Sequence, residues 1–362
     1  MRNNDSLTPL RGVAACLVVL FHYSIFAPNL KLHQMLPFLH RSHLWVDFFF
    51  MLSGYVMILV YGEQFKNGSW KSVGKYYWAR LARIYPLHLV VLLILIGLEF
   101  LAAAFGQSGT EPFTLRSRSA ESIWTNLLLI QAWHLHSGLT WNIPSWSISC
   151  EWAAYLLFPF FVGFLRERPA RLTWGILFAC FALLVIMDHY YGSLTMSFDW
   201  GVARCLCSFI AGAALFEILR PFDSTDFSNS SFYVIVLCLP FGALTLVDRM
   251  NTEWLAIPVF AVLLAVMSKA TCSVRHRLLE NRPMFFIGEL SYAIYISHWI
   301  VQATIPPLFV RFAMANGDAA TELQLLLSMT VITFVISYAL HVLVEMPARV
   351  CLRNFLPKPS PA

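Results

Sequence analysis

Apolar residues recur in blocks of about twenty along most of the chain, a spacing that predicts membrane-crossing helices. Such blocks lie at 8–26, 44–62, 84–105, 145–165, 172–190, 202–219, 231–248, 253–269, 288–309 and 322–345. A shorter block near 122–136 is interrupted by Asn126, Gln131, His134 and His136. No heptad run, Ser/Gly/Pro-rich tract or internal repeat separates the blocks. The expected fold is all-α, a polytopic transmembrane helical bundle of about ten spans with a short re-entrant or interfacial segment at 122–136. Residues 1–353 are expected to form a single membrane domain and 354–362 a short tail. The first block holds Arg11 and His22 and has no small-residue cleavage site, so it reads as a retained span.

Composition agrees with this pattern. Of 362 residues 58% are hydrophobic and only 12% charged, against about 25% charged in soluble domains. The mean hydropathy is +0.65. So few charges cannot cover a water-facing surface, and lipid must solvate much of the chain. The net charge of +5 is modest and forms no basic run, which argues against a nucleic-acid partner. The eight cysteines show no CxxC or Cys/His metal spacing. Most of them (Cys16, Cys150, Cys180, Cys205, Cys207 and Cys238) sit in apolar runs and read as packing residues, so no metal site is expected.

Lysine and arginine arbitrate topology, because cytoplasmic loops carry their excess. With a cytoplasmic N-terminus and 122–136 not crossing, the inside collects Arg2, Lys66, Lys71, Lys75, Arg80, Arg83, Arg166, Arg168, Arg171, Arg220, Lys269, Arg275, Arg277, Arg282, Arg349, Arg353 and Lys358. These are 17 of the 25 basic residues. The outside receives Lys31, Arg41, Arg116, Arg118, Arg204, Arg249 and Arg311. A crossing at 122–136 would turn the clusters at 166–171 and 269–282 outward. Both termini are therefore expected in the cytoplasm.

Charges inside spans are costly and usually face a bundle interior or a cavity. Arg11 and His22 are eleven positions apart in the first span, which puts them on one helix face roughly 16 Å apart along the axis. Arg11 lies at the inner end and His22 in the outer part. A snorkelling arginine and a helix-packing histidine would also fit. Asp47 opens the second span from outside at a similar depth to His22, where a carboxylate could orient the imidazole as a general base. Glu151 falls near the same level in the fourth span. Ser53-Gly54 presents a small-residue surface for a thin ligand arm or for a neighbouring helix.

Arg80 and Arg83 share a helix face at the inner rim and suit a phosphate or a lipid headgroup. His298, in the span that starts at Leu290-Ser291-Tyr292, joins these inner residues in a basic half-site. His341 and Glu345 close the last span on that side, and Glu345 is expected in a structural ion pair with the inner arginines. Trp141, Asn142 and Trp146, with His134 and His136, gather at the outer mouth, where they could stack on a sugar or form an ordinary aromatic belt.

These residues resemble those of the bacterial acyltransferase-3 membrane acyltransferases. The resemblance runs in order through Arg11 and His22, Asp47-Phe-Phe-Phe-Met-Leu-Ser-Gly54, Arg80-x-x-Arg83 with Ile-Tyr-Pro, and Trp146-Ser-Ile-Ser-Cys-Glu151. It continues through Ser291-Tyr-Ala-Ile-Tyr-Ile-Ser-His298 and Glu345-Met-Pro-Ala-Arg349. One departure is Cys150, where many relatives carry an aliphatic residue. The resemblance implies a ten-helix fold in a bacterial cytoplasmic (inner) membrane. It also implies transfer of an acyl group, most often acetyl, from acyl-CoA as co-substrate, with no bound cofactor.

The implied acceptor is a hydroxyl of a glycan or lipid-linked saccharide. His22 would be catalytic, with Asp47 or Glu151 beside it. Arg11, Arg80 and Arg83 would serve the donor, with Ser53, Gly54 and His298 on that side. Trp141, Asn142, Trp146 and His134 would line the acceptor mouth. A transporter for a polar solute or protons is the alternative, since a proton relay uses the same residue types.

Overall fold

The computed structural model describes residues 7–65, 70–105, 119–166, 168–222, 225–226, 230–271, 277–313 and 318–354. Arg2, Lys66, Arg116, Arg118, Arg275 and Lys358 of the charge count lie outside the described residues, as does the tail beyond Asn354. The helices are α1 (Leu7–Ser24), α2 (Trp45–Tyr61), α3 (Trp70–Ala104), α4 (Ala120–Leu127), α5 (Trp146–Leu165) and α6 (Ala170–Tyr191). They continue with α7 (Gly201–Leu219), α8 (Ser230–Met250), α9 (Ala256–Lys269), α10 (Arg282–Ala313), α11 (Ala319–Leu340) and α12 (Met346–Asn354). A π-helical turn, His341–Glu345, links the last two. A two-residue parallel bridge joins Thr225–Asp226 to Ala270–Thr271, and the architecture is otherwise helical.

Among the described residues nine helical segments are long and apolar enough to cross a membrane. The expected span at 253–269 is shorter than the pattern suggested. It folds as a 3-10 turn, Glu253–Leu255, followed by the 14-residue α9.

Polar contacts at the helix ends nevertheless show that α9 runs the full way between them. At one end Arg41 holds Asp248, Asn251 and Glu253, the backbone N–H of Leu194 donates to Glu253, and Asn29 donates to Glu322. At the other end Arg166 pairs with Glu63 and Glu217, Lys269 donates to the Phe222 carbonyl, and Trp78 donates to the Leu352 carbonyl. Among the described residues these contacts join expected outer loops to outer loops and inner ones to inner ones. α9 starts at the first end and finishes at the second.

The segment near 122–136 does not cross. Its helix, α4, has eight residues, about 12 Å of rise against a hydrocarbon core of about 30 Å. Beyond α4 the chain runs as a loop with left-handed residues at Leu129, His134 and Trp141. Asn126 donates to Thr140 and Gln131 to Ser145, and the backbone N–H groups of Leu129, Ile130 and Ala132 find acceptors within the protein. Irregular backbone at membrane depth is tolerated where protein satisfies it in this way. The segment returns to the same end through Ile143–Ser145 and enters α5. At the start of α11, exposed Asp318 accepts from the Thr321 N–H at 2.8 Å, and this capping bond holds its carboxyl below the ordinary carboxylate range.

Two close helix crossings set the interior. A methyl group built on Gly54 of α2 would meet the Phe209 carbonyl oxygen of α7 at 1.8 Å, and one on Gly212 of α7 would meet the Met51 carbonyl oxygen at the same distance. Gly12 of α1 and Gly288 of α10 approach similarly, with Gly288 placing its missing methyl 2.3 Å from the Thr8 carbonyl oxygen. Without a hydrophobic force between helices in lipid, such backbone approach is a main source of association. Gly54 therefore serves a helix crossing, while its neighbour Ser53 faces a cavity.

The crossings yield a stability prediction. Gly212→Ala should lower the melting temperature of detergent-extracted protein, since overpacking costs about 1–3 kcal/mol or more. Gly97→Ala, at a site with open space around it, should leave the melt unchanged in the same fluorescence assay.

Candidate functional site

Two cavities lie in the bundle, and they share the side chains of Val46 and Tyr295. The first, of about 150 Å³, is lined by Arg11, Arg80, Arg83, Ser53, Glu151 and Tyr155, together with Phe49, Ile84, Tyr292 and other apolar groups. The second, of about 360 Å³, is lined by His22, His40, Arg41, His43, Trp146, Arg204 and Glu253, with Ser193, Thr195 and Ser197 at its rim. Arg11, Arg80, Arg83, Ser53 and Glu151 thus line one chamber and His22 and Trp146 the other, with a common wall.

In the arginine cavity the three guanidinium groups differ in their partners. Arg83 donates to Glu345 and lies 5.3 Å from the Tyr292 ring centroid. Glu345 also takes His341 at 2.8 Å and Arg349 at 3.5 Å, and the π-helical turn is what brings this carboxylate to three basic groups. Arg80 donates to the Tyr61 hydroxyl at 2.9 Å and stacks over Tyr61 and Tyr155. No carboxylate pairs with Arg80 or Arg11 among the described residues. A hydrogen-bonded chain closes the cavity: Ser53 meets the Tyr155 hydroxyl at 2.9 Å, and Tyr155 donates to Glu151 at 2.5 Å. Glu151 consequently belongs to this chamber rather than to the side of His22.

His22 lines the second cavity. Its Nδ1 lies 2.9 Å from the Val18 carbonyl oxygen. A carbonyl can only accept, so Nδ1 carries the proton and Nε2 holds the lone pair. Nε2 has no hydrogen-bond partner among the described residues. The expected carboxylate orienter is absent from this ring. Asp47 is instead fully buried with both oxygens taken by Arg204, at 3.0 Å and 2.5 Å, and Ser208 adds a bond at 3.3 Å. A buried carboxylate is stable only with such a partner, and α7 supplies the nearer one.

His298 also departs from expectation. It lines neither cavity and packs against His22, with ring centroids 5.1 Å apart.

Of the four residues expected at the mouth, only Trp146 lines the second cavity, with the Arg204 guanidinium over its ring at 5.5 Å. Trp141 is buried and donates to Ser122, and Asn142 is buried and donates to the Ile296 carbonyl. Both serve the packing of the 119–145 segment. His134 is exposed and is held to the Phe198 and Asp199 carbonyls. The sequence reading missed Arg204, Tyr155, Arg41, His43 and Glu253. Arg204 and Glu253 carried a usable signal, being charges inside expected spans. Tyr155 carried none, because tyrosine is common in apolar helices.

Comparison with known proteins bears on the family of the chain. The family described as an acyltransferase domain of the acyltransferase-3 type matches residues 4–342. The acyltransferase MdmB of Streptomyces mycarofaciens is 27% identical over 96% of the chain and 91% of its own length. The peptidoglycan O-acetyltransferase OatA of Listeria monocytogenes is 21% identical over 84% of the chain, and a putative O-acetyltransferase of Staphylococcus aureus is 20% identical over 93%. The matches span 50% and 56% of those two relatives. No solved structure matches.

The buried ion pair gives a second stability prediction. Asp47→Ala alone should sharply reduce monodisperse protein on size-exclusion chromatography, because an uncompensated buried guanidinium costs about 3–5 kcal/mol. The double variant Asp47→Leu/Arg204→Met should recover most of it.

Proposed function

The chain belongs to the acyltransferase-3 family, and from that premise we propose that this acyltransferase moves an acetyl group from acetyl-CoA to a sugar hydroxyl, with His22 as general base. Family membership sets the transporter alternative aside. The observation that carries the reading is the Nδ1 bond of His22 to the Val18 carbonyl, which leaves a lone pair at Nε2 on a residue lining the larger cavity. The hydroxyl acceptor occupies that cavity. Its rim hydroxyls of Ser193 and Thr195, and the flat ring of Trp146, suit a saccharide that is hydrogen-bonded at its edges and stacked on one face.

The donor is held on the other side of the wall. Arg11 and Arg80 are cations without carboxylate partners, which is what a phosphorylated ligand requires. Arg83 is held by Glu345 and contributes position more than free charge. Ser53, Tyr155 and Glu151 supply hydrogen-bonding groups along the chamber for the amide-bearing arm of the donor. The thioester reaches the acceptor where Val46 and Tyr295 belong to both chambers. The hydroxyl oxygen then attacks the thioester carbon and its proton passes to His22 Nε2. The carbon–sulfur bond breaks, and the proton ends on the departing thiol. A bacterial cytoplasmic membrane with both termini inside fits the basic residues of the arginine end, and it puts the donor cavity on the side where acyl-CoA is made.

Membranes carrying the protein, supplied with labelled acetyl-CoA, test the reading. His22→Ala should reduce transfer of label to glycan or lipid-linked saccharide by roughly 10²–10⁴-fold with normal protein levels. Arg11→Gln and Arg80→Gln should raise the KM for acetyl-CoA. Wild-type rates in the His22 variant would end the proposal. Mass spectrometry of surface glycans from a strain lacking the protein should show a loss of 42 mass units, about that of one acetyl group replacing hydrogen.

A further inference from the structure

Acyl transfer through His22 leaves the buried imidazole packed against it, His298, unused. His298 is fully buried; its Nδ1 lies 2.7 Å from the Tyr295 carbonyl oxygen, and its Nε2 has no hydrogen-bond partner among the described residues. The carbonyl again fixes the proton on Nδ1 and leaves the lone pair on Nε2. His22 has the same arrangement with Val18, and the two ring centroids are 5.1 Å apart with planes at 44°. Two lone pairs cannot bond each other, whereas a single proton can bridge them. An unpaired buried nitrogen is costly, and a site that leaves one beside a base holds it ready for the moment when a donor appears.

We propose that His22 and His298 share one proton between their Nε2 atoms once the acceptor hydroxyl has been deprotonated, which makes His298 a positioning residue for His22. The inference rests on His22 being the base. The O–H bond of the acceptor breaks as its oxygen bonds the acyl carbon, and the proton lands on His22 Nε2. His298 Nε2 accepts a hydrogen bond from that N–H and holds the ring in place. When the carbon–sulfur bond breaks, His22 returns the proton to the sulfur, and both imidazoles are neutral again.

Of the other groups near His22, His43 Nε2 makes no hydrogen bond among the described residues. His43 lies 3.3 Å from Glu253, and Arg204 is taken by Asp47. The scaffold around the pair is built to hold it: the Tyr23 hydroxyl, next to His22 in sequence, donates to the His298 carbonyl at 3.0 Å and meets Thr333 at 2.6 Å. The glycine crossing of α1 and α10 at Gly12 and Gly288 fixes the spacing of the two helices.

Transfer of label from acetyl-CoA by membranes containing the full-length chain, normalised to protein amount by immunoblot, tests the pair. His298→Ala should lower kcat by about tenfold or more while leaving the KM for acetyl-CoA within about twofold. His298→Gln, whose amide oxygen accepts a hydrogen bond from protonated His22, should regain part of the loss. Wild-type kcat in His298→Ala, or a glutamine variant no faster than alanine, overturns the inference. Should the alanine variant fail to accumulate, the glutamine variant decides alone, through a lowered kcat at unchanged KM or a wild-type kcat that refutes the pairing. A wild-type chain that transfers no label, or a His22→Ala variant that transfers normally, refutes the transfer reading instead.

Discussion

A carboxylate that water cannot reach has to be met by a cation, and in this bundle the meeting of Asp47 with Arg204 organises everything around it. The two side chains are 0% and 1% exposed. They join α2 to α7, the two helices whose backbones Gly54 and Gly212 bring into contact about two turns farther along. Arg204 lines the larger cavity and carries its guanidinium against Trp146. With Asp47 committed to Arg204, the nearby imidazole of His22 keeps a backbone carbonyl as its orienting partner. A neutral ring held in one tautomer is the consequence.

The same logic separates the two chambers by charge. Both guanidinium groups that line the histidine cavity are neutralised: Arg204 by Asp47, and Arg41 by Asp248 and Glu253. Of the three arginines lining the other cavity, Arg83 has a carboxylate partner among the described residues, Glu345, which it shares with His341 and Arg349. Arg11 and Arg80 have no carboxylate partner among the described residues. On the proposed reading that spare positive charge selects an anionic donor, and the paired charges of the other cavity favour an uncharged polyol. The wall of Val46 and Tyr295 keeps these preferences apart, and Tyr295 is itself pinned by Ser147 at 2.8 Å.

The chain's own sequence determined that it is a multi-pass helical membrane protein, because twenty-residue apolar blocks and a shortage of charge leave no other solvent. It also pointed to a non-crossing 122–136 block, since that block is polar, and its helix has eight residues. His22, Arg11, Arg80 and Arg83 were legible for a similar reason: an ionisable residue inside a span is rare enough to be noticed. Only the tertiary structure decided who meets whom. Asp47 and Glu151 looked equivalent in depth to His22, yet one is claimed by Arg204 and the other by Tyr155. Gly54 became a crossing point, and His298 left the arginines for His22. Depth along a helix can be counted from sequence, but the azimuth of its neighbours depends on which helices pack together. That choice is made by small-residue crossings far apart in the chain, whose partners no local pattern reveals.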